Sequence, residues 1–179
     1  MTKNPWTTVK KNVIFQNDFG YIIRNDDVVT PSGKSGKFLV INHSDFVVIV
    51  AMTHDKKIVM VRQWRYAKEQ ECLELPAGSI NEGEEILTAA KRELQEETGY
   101  ISDNWQEIKS YFSGLNTMKI KGHVFLANDI VQSGESHNDE TENITVETYT
   151  YPELLNMIDQ NIIINGYSIL SLLLAKKYL

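Results

Sequence analysis

The sequence predicts an α/β fold: a mixed sheet covered by helices, with a small extra β layer over residues 1–42. Three observations carry that expectation. Short runs rich in Val and Ile recur between turn signals, as strands do. Residues 85–98 consist of good helix formers and stop at Gly99, a residue suited to a helix C-cap. The chain closes on YSILSLLLAKKYL, a mostly apolar helix of the kind that covers a sheet.

The elements follow in order. Residues 20–42 read as short strands, YIIRNDDVV and KFLVIN, broken by the turn signal TPSGKSG. HSDFVVIVAM and KKIVMVRQW come next, joined near residues 53–55, and are expected to pair as a hairpin in one sheet. A loop with LPAGSINEGEE leads into the helix over 85–98. WQEIKSYFS and IKGHVFLAN read as two more strands, SGESHNDETEN as an acidic loop, and ITVETYTY as a last strand. PELLNMIDQ opens a helix at Pro152, where a missing N–H costs nothing.

Composition narrows the function. The 179 residues suit one globular domain with an appended layer, expected at 1–42 and 43–179. No apolar run approaches the roughly 20 residues of a membrane span, and MTKNPWTTVKK has no signal-peptide core. Cys72 is the only cysteine, which excludes an intrachain disulfide and a cysteine zinc site and favours a cytoplasmic home. It reads as buried filler. A net charge of −6 disfavours nucleic acid as a partner. An acidic protein that handles phosphates needs metal ions to neutralise itself and its ligand. The four histidines, His43, His54, His123 and His137, show no metal-ligand spacing, and His123 in its alternating strand reads as structural.

Glu93, Glu96 and Glu97 share one helical face, within an arc of about 100°. Like charges at that spacing repel, and the nearby helix C-terminus is unfavourable for anions. Leu87, Ala90 and Leu94 form an apolar stripe beside them, so the acids are expected at the margin of the core. Oxygen ligands of this kind suit the hard ions Mg²⁺ or Mn²⁺.

The full spacing runs Gly78, five residues, Glu84, seven residues, then Arg92-Glu93-Leu94-Gln95-Glu96-Glu97-Thr98-Gly99-Tyr100. It resembles the signature box of the Nudix hydrolases. Tyr100 stands where the general pattern has an aliphatic residue, and the ADP-ribose branch commonly has Tyr there. VRQWRY, ECLELPAGSINEGE, PSGK and EETGY are also similar to that branch of ADP-ribose and nucleoside diphosphate sugar pyrophosphatases. The resemblance implies a Nudix α/β/α sandwich and hydrolysis of a pyrophosphate bond by water. It implies Glu93, Glu96, Glu97 and the Ala77 carbonyl as metal ligands. Glu84 and Arg92 match a structural ion pair, and Gly78 and Gly99 the turn glycines. Arg65, and less directly Arg62, match phosphate ligands. Phe38, with Tyr21 or Phe19, matches aromatics that stack on the base. Trp64 reads as a core or interface residue.

The box acids are taken up by metal, so the base that deprotonates the water must come from elsewhere. Glu140-Thr141-Glu142 matches the family's acid-any-acid pattern, with Glu140 at the base position, Glu142 second, and Glu96 the next place to look. Related enzymes exchange the N-terminal layer across a two-fold axis, which implies a homodimer. One departure bears on substrate: the segment YFSGLNTMK lacks the proline and following acid usual in ADP-ribose hydrolases. A GDP- or UDP-sugar is therefore the alternative substrate. A ligand-sensing Nudix domain is the alternative of another class, but such domains usually have eroded boxes, and here every charged box residue is present.

Overall fold

The computed structural model describes residues 4–133 and 144–179. The chain divides into two compact units. The first holds residues 1–45 and 111–121, the second 46–110 and 122–179. The excursion 111–121, expected in the domain 43–179, groups with the first unit. Its backbone ties it there: Ile41 N–H donates to Thr117 O at 2.7 Å, and Ile41 bridges Met118.

In the first unit, β1 (Thr7–Lys10), β2 (Val13–Gln16), β3 (Ile22–Val29) and β4 (Ser35–Asn42) form one antiparallel sheet. β3 is long enough to take β1 and β2 in tandem on one edge and β4 on the other. β1 and β2 are exposed throughout, apolar Val9, Val13, Ile14 and Phe15 included.

The second unit is built on β5 (Phe46–Ala51) and β6 (Lys57–Arg65). The expected hairpin is not formed. β5 is paired on both edges, parallel to β11 (Lys121–Asn128) and antiparallel to β8 (Ala77–Ser79). β6 is likewise flanked by β7 (Gln70–Glu74) and β13 (Thr145–Thr150). With both edges taken, the two strands meet only at one bridge, Met52 to Ile58. The sheet order around β5 is β10-β11-β5-β8, where β10 spans Asn104–Phe112, and the parallel pair makes it mixed. β9 (Tyr100–Ile101) and β12 (Val131–Gln132) form a further small antiparallel pair.

Among the described residues, three α-helices cover the unit: α1 (Ile86–Thr98), α2 (Tyr151–Asp159) and α3 (Gly166–Ala175). Val47, Ile49 and Ala51 point to one face of β5 and pack with Ala89, Ala90 and Leu94 of α1. Val48 points to the other face, where α3 packs. Helix on both faces is the sandwich the sequence predicts. α1 ends as expected, with Gly99 at φ 71° and its N–H bonded to Gln95 O. α2 carries a full capping box between Thr150 and Glu153. No helix among the described residues is long and apolar enough to cross a membrane.

Candidate active site

α1 carries the acids deeper than the sequence suggests. Counting 100° per residue, Ala89, Glu93, Glu97, Ala90 and Leu94 fill one arc of about 140°. That arc is the buried face, and Glu93 and Glu97 lie inside it rather than at its margin. Glu97 is only 7% exposed. Leu87, expected in the apolar stripe, is exposed, because it falls at the edge of the arc in the first turn.

Each acid has a specific anchor. Glu97 Oε2 accepts the Ala77 N–H at 3.0 Å, which ties the helix to β8. Glu93 lies against Gly78, where a Cβ would stand 2.1 Å from its carboxyl carbon. Gly78 thus makes room for a carboxylate, not for a turn. Arg92 Nε and Nη2 donate to Glu84 at 2.9 and 3.1 Å, forming the expected ion pair between loop and helix. Nη1 of the same guanidinium reaches Glu93 at 2.8 Å and Glu96 at 2.9 Å. The Arg92 hydrogen bonds hold the Glu84 carboxyl below its ordinary range.

The donors fit a hard divalent cation: all are oxygens, two sit on a buried face, and Gly78 leaves Glu93 its space. One guanidinium shared by three carboxylates shows how strongly this corner favours positive charge. Among the described residues no three acidic, His or Cys side chains already converge as a metal cage.

Gly78→Ala puts a methyl where the Glu93 carboxylate lies. The side-chain end is flexible and gives way, so folding survives but the Glu93 carboxylate moves by about 1 Å or more. Turnover is expected to fall about tenfold or more with the melting temperature nearly unchanged, measured by kcat alongside a thermal melt. Acid should act through Glu84. A lowered folded pKa means its stabilisation is full above the ordinary value of 4.5 and is lost as pH falls below it. Arg92→Ala is expected to cost about 2 kcal/mol at neutral pH. Melting curves of both proteins at pH 7 and pH 3.5 should show that difference shrinking in acid.

The two arginines of VRQWR separate. Arg62 and Arg65 project from opposite faces of β6. Arg62 Nε donates to Glu147 at 2.6 Å, and Tyr149 donates its hydroxyl to the same carboxylate. These bonds hold the Glu147 carboxyl low. Arg65 Nε and Nη2 bind Glu74, an acid only 4% exposed, at 3.1 and 2.5 Å. Trp64 is 59% exposed, which rules out the core half of the expected core-or-interface role. In the first unit, Phe38 meets Trp6 edge-on at 5.7 Å, and Tyr21 stacks obliquely on His43 at 4.1 Å. Phe19 is exposed. His123 is buried, its Nδ1 3.1 Å from Glu107. Cys72 is buried. Glu140 and Glu142 lie outside the described residues.

Sequence reasoning missed Glu74 and Glu147, the acids that anchor the two arginines. Glu74 left a signal, a lone acid in the apolar run ahead of LPAG. Glu147 left none, since ITVETY reads equally well with it in solvent.

The second unit is an α/β/α sandwich whose carboxylate-bearing helix α1 packs against β8 at Ala77 and Gly78. The chain belongs to the Nudix family: the NUDIX domain model matches residues 42–165. It is 34% identical over 135 residues to an ADP-ribose pyrophosphatase of Bacillus subtilis, covering 75% of this chain and 73% of that one. It is 29% identical over 167 residues to a methanol dehydrogenase activator of Bacillus methanolicus, covering 92% and 89%. The solved structure of an ADP compounds hydrolase superposes with a TM-score of 0.86 at 17% identity, over 99% of this chain and 96% of that one. At that identity the superposition speaks for the fold alone. Enzymes of the family work with divalent metal.

Proposed function

We propose that this chain is a Nudix pyrophosphohydrolase that cuts ADP-ribose or a related nucleoside diphosphate sugar into nucleoside monophosphate and sugar phosphate. The observation that carries the reading is the pair Glu93 and Glu97, carboxylates kept on the buried face of α1 against Gly78 and Ala77. A protein retains buried acids cheaply only where positive charge meets them. The names of the Bacillus subtilis relative and of an ADP-sugar pyrophosphatase of Mus musculus support the substrate class.

Glu93, Glu97, Glu96 and the Ala77 carbonyl would hold Mg²⁺ or Mn²⁺, which when bound neutralises the diphosphate and acidifies the attacking water. Arg65, kept in place by Glu74, grips a phosphate oxygen. Glu140 takes the water's proton. Phe38 and Tyr21 offer faces to the base. Arg62 serves β6 and β13 through Glu147 rather than the substrate. The enzyme works in the cytoplasm.

A panel of ADP-, GDP- and UDP-sugars with Mg²⁺ or Mn²⁺, read by monophosphate release, tests this. ADP-ribose should give AMP and ribose 5-phosphate; silence on every substrate would overturn the reading. The long match to the Bacillus methanolicus relative favours a second one, activation of a dehydrogenase, for which added protein must speed methanol oxidation. The exposed apolar residues of β1 and β2 support a homodimer that exchanges its N-terminal layer. Light scattering at micromolar concentration should give twice the 20.5 kDa chain mass.

A further inference from the structure

Leu75, Pro76 and Ala77 carry the chain from β7 into β8, and each is held by a different element of the second unit. The Leu75 N–H donates to Ser168 Oγ of α3 at 2.9 Å. Pro76 O accepts the Ile49 N–H of β5 at 2.8 Å. The Ala77 N–H donates to Glu97 Oε2 of α1 at 3.0 Å. Ser168 belongs to no motif of the sequence, and it reaches Leu75 across 93 residues of chain.

Pro76 gives that tie its weight. It has no N–H, so Leu75 carries the last backbone donor before Ala77. Leu75 is 1% exposed, and a buried N–H needs a partner. Ser168 is equally buried. Asn165 already caps the Ser168 N–H at 3.0 Å, and the hydroxyl oxygen serves Leu75 instead of its own helix.

The register shows what is being aimed. β8 stands at the edge of its sheet, with Ala77 opposite Val48 of β5. Hydrogen-bonded positions alternate along an antiparallel pair, and Ile49 bonds to Pro76, so Ala77 is a position that does not bond to β5. Its N–H and its carbonyl both point away from β5, to the side where Glu97 takes the N–H. The Ala77 carbonyl, one of the oxygens proposed above to hold the cation, thus leaves β8 beside the Glu97 carboxylate. Its direction is fixed only if the chain before it is fixed. Resting on the pyrophosphohydrolase reading above, we infer that Ser168 is a positioning residue: through Leu75 it keeps the Ala77 carbonyl in line with the carboxylates of α1, and so sets the affinity of the site for its divalent cation.

The sequence contains a single Ala–Gly step, at Ala77 and Gly78. Protein isotope-labelled at alanine carbonyl carbons and glycine amide nitrogens therefore gives one carbonyl–amide NMR correlation, which reports on this oxygen. Mg²⁺ is titrated into wild type and three variants without substrate. In wild type the peak should move and saturate. Ser168→Ala should need about 10- to 100-fold more Mg²⁺, the usual loss when a group behind a metal ligand is removed. Ser168→Thr keeps the acceptor oxygen and should restore the wild-type midpoint. Ser171→Ala, one turn along α3, is the control. That hydroxyl is buried with no hydrogen-bond partner among the described residues, and its loss should leave the midpoint unchanged.

A lower melting temperature in Ser168→Ala with the wild-type midpoint would make Ser168 purely structural and overturn the inference. So would a Ser168→Thr midpoint as weak as that of Ser168→Ala. Should Ser168→Ala not fold, Ser168→Cys, close in size and a much weaker acceptor, replaces it with the same expectation. A wild-type peak indifferent to Mg²⁺ would overturn the inference together with the Ala77 assignment. Because no substrate is present, a midpoint that depends on Ser168 in a protein that cleaves no nucleotide sugar would fail the activity reading alone.

Discussion

Glu97→Gln is expected to lower kcat by about 10²-fold or more while leaving the fold intact. The geometry explains both halves. Gln keeps a side-chain oxygen at the same reach, so the Ala77 N–H retains its acceptor and α1 stays tied to β8. What is lost is a full negative charge on a group only 7% exposed, where charge is weakly screened and a cation ligand counts most. Removing that charge also relieves repulsion from Glu93 at i−4. Without metal, the variant should therefore melt no lower than wild type. Steady-state kinetics and a thermal melt in EDTA check the pair, and near-normal turnover would refute the metal assignment.

Glu140→Gln is expected to lower kcat by about 10²- to 10⁴-fold, the range for losing general acid–base catalysis. The base touches water and not the nucleotide, so KM should change little. Glu142→Gln should cost less. Measuring kcat and KM for both variants decides the register: a more damaging Glu142→Gln shifts the base by two residues. If neither matters, attention moves to Glu96, whose carboxylate is held by Arg92 at 2.9 Å.

What was readable in the sequence was local. Helix α1 and its stop at Gly99 depend on neighbours within about two turns, so spacing alone exposed them, while the Glu84–Arg92 pair was legible through the resemblance to the Nudix box. What was hidden depends on distant strands. The β5–β6 hairpin looked natural from two adjacent Val/Ile runs, but which edges are free is decided by β8, β11, β7 and β13. Gly78 was legible as a box glycine, while its role as the space beside Glu93 needs the packing of β8 on α1. The partners of Arg62 and Arg65 come from β13 and β7, and a period-2 pattern says only that the two arginines face apart.

The parallel pairing of β5 with β11 also governs when the second unit can come into being. Phe46 aligns with Gly122, about 75 residues later, and non-local closure of this kind slows folding. On the ribosome, β5 and α1 are made first and leave an open strand edge until β11 emerges. Val47 through Ala51, all fully buried in the finished unit, are bare during that interval. The strand at the centre of the core is therefore also a segment in need of chaperone cover during synthesis.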